Sequence, residues 1–474
     1  MNAPDGDGLN SSYDVIVVGA GPAGENVAGR CADGGLRVAI VERELVGGEC
    51  SYWGCMPSKV LLRPGDVVAA ARRVPGAAEA VTGAIDVAAA LARRDATTSS
   101  WDDEGQVPWL DSKEITLLRG TGRLDGERRV TVTERDGGAT SYVAAVAVVL
   151  AVGTSAAIPP IPGLRESAPW DNRNVTATKE VPRRLLVLGG GAIGVEMAQA
   201  MRRLGSDEVT IVEGLDRLVP REEPFAGEEL AAALIGEGID VITGVALTAV
   251  QRDGGDGPIT ATLADGRSIV ADEILVAVGR RAATADLGLD TVGLEPGKPI
   301  PVDDQLRASG VPGGWLYAVG DGNGRALLTH MGKYQARIAG DVILGRDVGA
   351  GAFADHDAVP RVTFTDPQIA AVGPTEADAR AAGHDVRTVQ VPLSSVAGAY
   401  TLGDGVTGTA QLVVERATGV VLGATFTGPG VGELLHAATV AIVGRVPVER
   451  LWHAVPAFPT LSEVWLRLLE AYGL

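Results

Sequence analysis

Positive charge, cysteine, aromatic rings and long apolar runs are all scarce in this chain of 474 residues. Lys and Arg number 41 against 60 Asp and Glu, a formal net charge of −19. So acidic a chain is a poor match for phosphate backbones or anionic bilayers, and neither a nucleic acid nor a membrane partner is expected. The longest apolar run, Val143–Val152, is too short to span a bilayer. The opening MNAPDGDGLNSS has neither a basic nor an apolar signal region, and 1–12 reads as a disordered tail. Three cysteines do not make a secreted disulfide framework, which points to a cytoplasmic protein. Aromatics are only 4% of the residues while glycines number 64, a balance that favours α/β architecture with tight turns over a β-sandwich.

What is present is a strand–glycine–helix–strand unit that occurs twice. In SYDVIVVGAGPAGENVAGRCADGGLRVAIVE, the apolar run Val15–Val18 leads into Gly19, Gly21 and Gly24, then a helix, then Val38–Val41 and Glu42. The first glycine makes the tight turn, the second lets backbone approach a pyrophosphate, and the third lets helix pack on strand. The helix start offers unpaired N–H groups to phosphate. Glu42 stands where a carboxylate accepts from ribose hydroxyls. RLLVLGGGAIGVEMAQAMRRLGSDEVTIVE repeats the unit with Gly189, Gly191, Gly194 and Glu213. From Gly19 to Glu42 is 23 positions, and from Gly189 to Glu213 is 24. One such motif is weak evidence of a site. Two, each bounded by strands with its acid in register, predict two dinucleotide sites. Glu213 favours NAD(H), because a carboxylate repels a 2′-phosphate. Arg217 and Arg221 leave NADP(H) possible.

Between the two units lies GGECSYWGCMPSK, residues 47–59, with Cys50 and Cys55. A zinc site needs four ligands, and neither a histidine nor a second cysteine pair is close in sequence. A structural disulfide does not suit a reducing cytoplasm. A redox dithiol needs its Cα atoms within about 7 Å, closer than a regular helix holds positions five apart. The segment should therefore be a distorted helix start, which Gly47, Gly48 and Gly54 permit and Pro57 tolerates. A thiolate at such a place is stabilised and its pKa falls. Cys31, in the first glycine-motif helix, reads as a core thiol.

GGECSYWGCMPSK resembles the corresponding segment of the class I pyridine-nucleotide disulfide oxidoreductases, which include glutathione reductase, lipoamide dehydrogenase and mercuric reductase. LAVGTSAAIPPIPG (150–163), VAVGRRAAT (276–284), LYAVGDGNGRALLTH (316–330) and VTFTDPQIAAVG (362–373) extend the resemblance over nearly the whole chain. It implies an α/β fold of two Rossmann-like dinucleotide-binding domains plus a C-terminal α+β dimerisation domain. FAD would bind 13–163 and 285–350, NAD(P) would bind 164–284, and 351–474 would form a homodimer. It also implies roles. NAD(P)H reduces FAD, which passes two electrons to the Cys50–Cys55 disulfide. Cys55 would be the charge-transfer thiol beside the flavin, and Cys50 the interchange thiol nearer solvent. Lys59 would lie at the flavin with Glu196 as its ion-pair partner. Asp321 would bond the ribityl chain. Gly122, Gly153, Gly279, Arg280 and Thr329 complete the implied cofactor contacts.

The resemblance breaks near the C-terminus. The family pattern H-P-T-x-x-E carries a histidine that, from the partner subunit, moves the proton of the interchange thiol. Here LWHAVPAFPTLSEVW keeps Pro459, Thr460 and Glu463, but the histidine position is Phe458. His453, five residues upstream, is a weak substitute. The chain ends LLEAYGL without the cysteine pair that serves mercuric reductases, so a mercuric reductase of the usual kind is disfavoured. Tyr52 and Trp53 stand between the cysteines, where small or polar residues are common, and suggest an aromatic mouth. Ala192 stands where an aromatic gate is frequent. The reading is an FAD-dependent NAD(P)H oxidoreductase. Its small-molecule electron acceptor would be non-standard: a quinone or other small aromatic, a metal or a specialised disulfide. The alternatives are a dihydrolipoamide dehydrogenase or low-molecular-weight disulfide reductase, and a non-catalytic redox-sensing flavoprotein. Phe458–Pro459 is predicted to be a cis peptide bond.

Overall fold

The computed structural model describes residues 12–474. The tail expected over 1–12 lies outside the described residues except for Ser12, which opens the first strand. The chain folds into two compact units, each assembled from separated segments. Of the described residues, the first comprises 12–56, 95–155 and 280–356, and the second 57–94, 156–279 and 357–474. These cuts differ from the segments drawn on the sequence. Residues 164–279 and 357–474 share a unit, and the helix Cys55–Arg72 starts in the first unit and runs into the second.

The core of the first unit is a seven-stranded sheet. Its order is Thr116–Arg119, Val38–Glu42, Ser12–Val18, Ala139–Leu150, Arg129–Thr133 and Thr121–Leu124, with Leu316–Ala318 also paired to Ala139–Leu150. The four strands around Ser12–Val18 are parallel, which requires covered faces and explains their unbroken Val, Ile and Ala runs. The helix Pro22–Asp33 packs on the helix Thr329–Ile343. Arg30 on the first bonds Asp341 on the second at 3.0 and 2.8 Å.

The second unit holds a parallel sheet ordered Ile239–Thr243, Glu208–Glu213, Arg184–Leu188, Glu273–Val276. A three-stranded antiparallel sheet from Leu247 to Ala271 accompanies it. Its third sheet has five antiparallel strands in the order Pro360–Thr363, Gln368–Val372, Val421–Gly428, Thr409–Glu415, Val386–Pro392. The helix Val431–Val443 covers this sheet with Val431, Leu434, Leu435 and Ala438 buried. The expected class, α/β with two Rossmann-like units and a C-terminal α+β part, is the class observed. No helix of the described residues is long and apolar enough to cross a membrane.

Both glycine motifs work by the same sterics. Gly19 has φ +103°, and a Cβ there would lie 2.4 Å from the Ala151 carbonyl oxygen. A Cβ on Gly24 would lie 1.9 Å from the Gly19 carbonyl oxygen. In the second copy the corresponding distances are 2.6 Å at Gly189 and 2.0 Å at Gly194. Gly21 and Gly191, by contrast, open onto space with nothing within 4 Å. Only glycine fits the first and third positions, and the second leaves a cradle that a side chain would fill.

Candidate active site

The dithiol segment is a broken helix. One helix spans Gly48–Tyr52 and ends at Trp53, and a second starts at Cys55 and runs to Arg72. Gly47, at φ +107°, lets the chain enter the first helix, and Gly54 lies at the break between the two. This is the distortion that the spacing of the cysteines demanded. The Cys50 and Cys55 sulfurs are not bonded to each other. Cys55 is exposed and Cys50 half-buried. Cys50 sits inside the first helix, while Cys55 opens on the side of Thr329, where the cofactor is implied. Cys55 Sγ and Thr329 Oγ1 are 3.3 Å apart.

The expected fall in thiol pKa does not hold at Cys50. A hydrogen bond to Cys55 retains its proton, and burial adds to the rise, while the Thr329 hydroxyl and the Lys333 ammonium oppose it. The helix start is outweighed here because Cys50, although in the first turn of its helix, faces another sulfur and is partly buried. Cys31 is a core thiol, as read, and burial pushes it up to about 12.

Tyr52 corrects the picture of an aromatic mouth. It is 3% exposed, and its hydroxyl donates to the Asp102 carbonyl at 3.4 Å. Its own carbonyl accepts from Trp101 Nε1 at 3.1 Å. The ring is interior packing, because the helix break turns it away from the surface that Cys55 reaches. Trp53 is half-buried with its ring tilted on Tyr52, centroids 5.7 Å apart.

Asp321 is brought to a network that the sequence reading identified only in part. Its carboxylate accepts from Thr154 Oγ1 at 2.8 Å, and Thr154 Oγ1 in turn accepts from Arg280 Nε at 2.7 Å. Arg280 Nη2 also donates to the Thr154 carbonyl at 2.9 Å and lies 3.6 Å from Glu49. Burial pushes the Asp321 carboxyl up, against the pull of Thr154 and Arg280. Thr154 and Glu49 were missed. The signal available was their place next to Gly153 and Cys50 in the quoted motifs. Gly153 and Gly279 have positive φ, +68° and +138°, with open space around them. Gly122 instead packs against Val18 and Val41, 3.0 and 3.2 Å from where its Cβ would be.

The two motif acids brace their own glycine turns. Glu42 accepts from the N–H groups of Ala20 at 2.8 Å and Glu44 at 2.7 Å. Glu213 accepts from those of Gly190 at 2.7 Å and Leu215 at 2.8 Å. Arg217, the candidate 2′-phosphate ligand, is turned onto the carbonyls of Pro220 and Glu222 at 2.9 and 3.5 Å.

In the second unit Lys59 meets Glu196 at 2.7 Å. The other Glu196 oxygen accepts from the Phe364 N–H at 2.9 Å, and the Lys59 ammonium lies 4.9 Å from the Phe364 ring centre. Phe458 is 76% exposed, and Phe458–Pro459 is cis, as predicted. His453 is exposed. Among the described residues, no cluster of three or more His, Cys, Asp or Glu is placed to hold a metal.

Two glycine-cradled dinucleotide folds and a thiol pair on a broken helix define a flavin- and pyridine-nucleotide-dependent oxidoreductase. The chain belongs to the pyridine nucleotide-disulphide oxidoreductase family. That family's model matches residues 13–336, and the model of its dimerisation domain matches 359–468. A dihydrolipoyl dehydrogenase of Thermus scotoductus is 34% identical over 467 residues, 97% of each protein. A mercuric reductase of Staphylococcus aureus is 31% identical over 463 residues, 97% of this chain and 81% of that one. The crystal structure of LpdA from Mycobacterium tuberculosis superposes with a TM-score of 0.84 at 26% identity, covering 97% of this chain and 100% of that one. The flavoprotein disulfide reductase RclA from Escherichia coli also gives 0.84, at 24% identity, a likeness of fold alone. The cofactors of the family are FAD and NAD(P)H, and the open cradles at Gly21 and Gly191 fit a pyrophosphate at each.

Proposed function

We propose that the chain is an FAD-dependent NAD(P)H oxidoreductase whose Cys50–Cys55 pair passes electrons to an acceptor outside the common thiol substrates. A quinone or other small aromatic, a metal ion and a specialised disulfide are the candidates. The observation that carries this reading is Phe458, in register with Pro459, Thr460 and Glu463 where the pattern has histidine. A phenyl ring moves no proton, and general acid–base help is worth about 10²–10⁴-fold in thiol exchange. Glu463 carries a buried carboxylate oxygen that no hydrogen bond of the described residues reaches, in keeping with a missing partner.

In this reading each residue has a task. Gly19, Gly21, Gly24, Glu42, Gly153, Thr154, Arg280 and Asp321 hold FAD. Gly189, Gly191, Gly194, Gly279 and Glu213 hold the nicotinamide nucleotide. NAD(H) is favoured, since Arg217 is engaged within its own loop. Bound FAD supplies two-electron transfer between the nucleotide and the sulfurs. The hydrogen bond between the two sulfurs favours the protonated form of Cys50. Thr329 steadies the sulfurs, and Lys59 with Glu196 sets a fixed charge pair on the helix that Cys55 starts. The dimerisation domain pairs two copies.

Anaerobic titration with NADH tests the dithiol: a red-shifted thiolate–flavin absorbance is expected, lost in Cys55→Ser. Steady-state assays with a quinone, glutathione disulfide and lipoamide then test the acceptor. The quinone is expected to turn over fastest, and brisk lipoamide turnover would sink the proposal. That second reading, a dihydrolipoamide dehydrogenase, draws support from the Thermus scotoductus relative, which is matched along 97% of its length.

A further inference from the structure

Asp321 stands in a short helical turn, Gly320–Asn323, in the first unit. One buried side chain holds both ends of that turn. Gln335 is 0% exposed, and its Oε1 accepts from the Gly320 N–H at 2.7 Å and from Asn323 Nδ2 at 2.8 Å. Both partners are donors, so the oxygen of the Gln335 amide faces the turn and its nitrogen faces away. That nitrogen donates to Asp355 Oδ2 at 2.9 Å. Arg325 Nη1 lies 3.5 Å from the same Asp355 oxygen, and the Arg325 backbone N–H donates to Asn323 Oδ1 at 3.0 Å. Asn323, Gln335, Asp355 and Arg325 thus close a ring of hydrogen bonds around the turn. Arg325 Nη2 ties the ring outward to the Val302 carbonyl at 2.9 Å and to Asp304 Oδ1 at 3.0 Å.

We propose that Gln335 is the positioning residue of Asp321: braced by Asp355, it fixes the Gly320–Asn323 turn and so places the Asp321 carboxylate for a bound FAD. The inference rests on the reading of Asp321 as an FAD contact. A Cβ on Gly332, three residues before Gln335, would lie 3.2 Å from Gly320 Cα, so the helix Thr329–Ile343 lies directly on the turn. The same helix opens with Thr329, 3.3 Å from the Cys55 sulfur. One helix therefore sets both the Asp321 turn and the hydroxyl beside the dithiol. Thr154 Oγ1 holds the Asp321 carboxylate at 2.8 Å, and Gln335 holds the backbone beneath it.

Position 335 calls for an amide. Its oxygen must take two donors while its nitrogen gives to a carboxylate. A carboxylate at 335 would meet Asp355 as a like charge in a buried space. An apolar side chain would strand the Gly320 N–H and the Asp355 charge together. Asp355 Oδ1 is buried and meets no hydrogen bond of the described residues, so the contacts at Oδ2 hold this carboxylate alone. Burial pushes the Asp355 carboxyl up, and Gln335 and Arg325 oppose the rise.

The test is the rate of FAD release from the loaded protein, read as recovery of flavin fluorescence on dilution. Gln335→Met, close in size but without the hydrogen bonds, is expected to release FAD about tenfold faster. Gln335→Glu is expected to do at least as much. Gln335→Glu combined with Asp355→Asn exchanges donor for acceptor and is expected to return to within about threefold of the unaltered rate. In an Asp321→Ala background, Gln335→Met is expected to add less than about twofold, because the group it places is gone. A merely structural role would add its full effect there. Full addition in that background, or an unaltered release rate in Gln335→Met, overturns the proposal. Should Asp321→Ala retain no FAD, amide hydrogen exchange of FAD-loaded Gln335→Met decides: faster exchange confined to 320–323 supports the proposal, and equal acceleration across the first unit overturns it. Should Asp321→Ala release FAD at the unaltered rate, the reading of Asp321 as an FAD contact fails, and the same exchange measurement still decides whether Gln335 fixes the turn.

Discussion

The Lys59 ammonium stands 2.7 Å from the Glu196 carboxylate, although the two residues are 137 positions apart in the chain. Glu196 is 4% exposed and also binds the Phe364 N–H, so its charge is committed on both sides. Lys59 stays in contact with solvent.

Glu196→Ala strands both the ammonium and the Phe364 N–H. A fully buried pair costs about 3–5 kcal/mol to break, and the solvation of Lys59 brings the expected loss down to about 2 kcal/mol. Thermal unfolding should show a Tm lower by several degrees, and NADH-dependent reduction should slow. An unchanged Tm would show that the pair does not form in solution.

Phe458→His restores the proton carrier that the C-terminal pattern lacks. Lipoamide or glutathione disulfide turnover is expected to rise about 10–100-fold, within the span of general acid–base catalysis. Quinone turnover should stay within about twofold, because the mutation adds nothing that such an acceptor uses. Equal gains for both acceptors would contradict this division.

Three consecutive non-glycine residues, Ser99, Ser100 and Trp101, have φ of +48°, +52° and +61°. The strain is held in place partly by the Trp101 indole, which grips the carbonyl of Tyr52 between the cysteines. Ser100→Gly should raise stability by about 0.5–1 kcal/mol, since glycine adopts this conformation without the Cβ clash. Trp101→Phe should lower it by about 1 kcal/mol for the lost hydrogen bond. Amide hydrogen exchange over 48–55 should accelerate in the second variant alone.

Glu25 makes stability depend on pH. Its carboxyl moves from an ordinary 4.5 to about 7 on folding, through burial first, so the folded chain binds that proton more tightly. The contribution is full below pH 4.5, falls as pH rises toward 7, and is lost above. Glu25→Gln should therefore gain stability relative to the unaltered protein between pH 5 and 8, by on the order of 2–3 kcal/mol at the upper end, read as a rising Tm difference across that range. A constant difference across that range would show that Glu25 titrates normally.

Much of the cofactor fold was legible because its requirements are local. A tight turn at Gly19 and close packing at Gly24 exclude any side chain, so the spacing of glycines carries the geometry by itself. The same holds for the second copy and for the break between Cys50 and Cys55, which the distance limits of a dithiol demand. The pairing of Lys59 with Glu196 and the place of Asp321 came from the family likeness rather than from spacing.

Other features depended on how distant segments pack. Tyr52 lies beside the dithiol in sequence, yet the break in the helix turns it inward against Asp102 and Trp101. Thr154 joins Arg280 to Asp321 across 126 and 167 positions. The helices Pro22–Asp33 and Thr329–Ile343 approach through small residues, Ala23 and Gly332. Sequence by itself determined the two nucleotide cradles, the thiol pair and the absence of a histidine at Phe458, because each is set by residue type at short range. Only the tertiary structure decided that Tyr52 packs inward and that Thr154 links Arg280 to Asp321, because both follow from the packing of segments far apart in the chain.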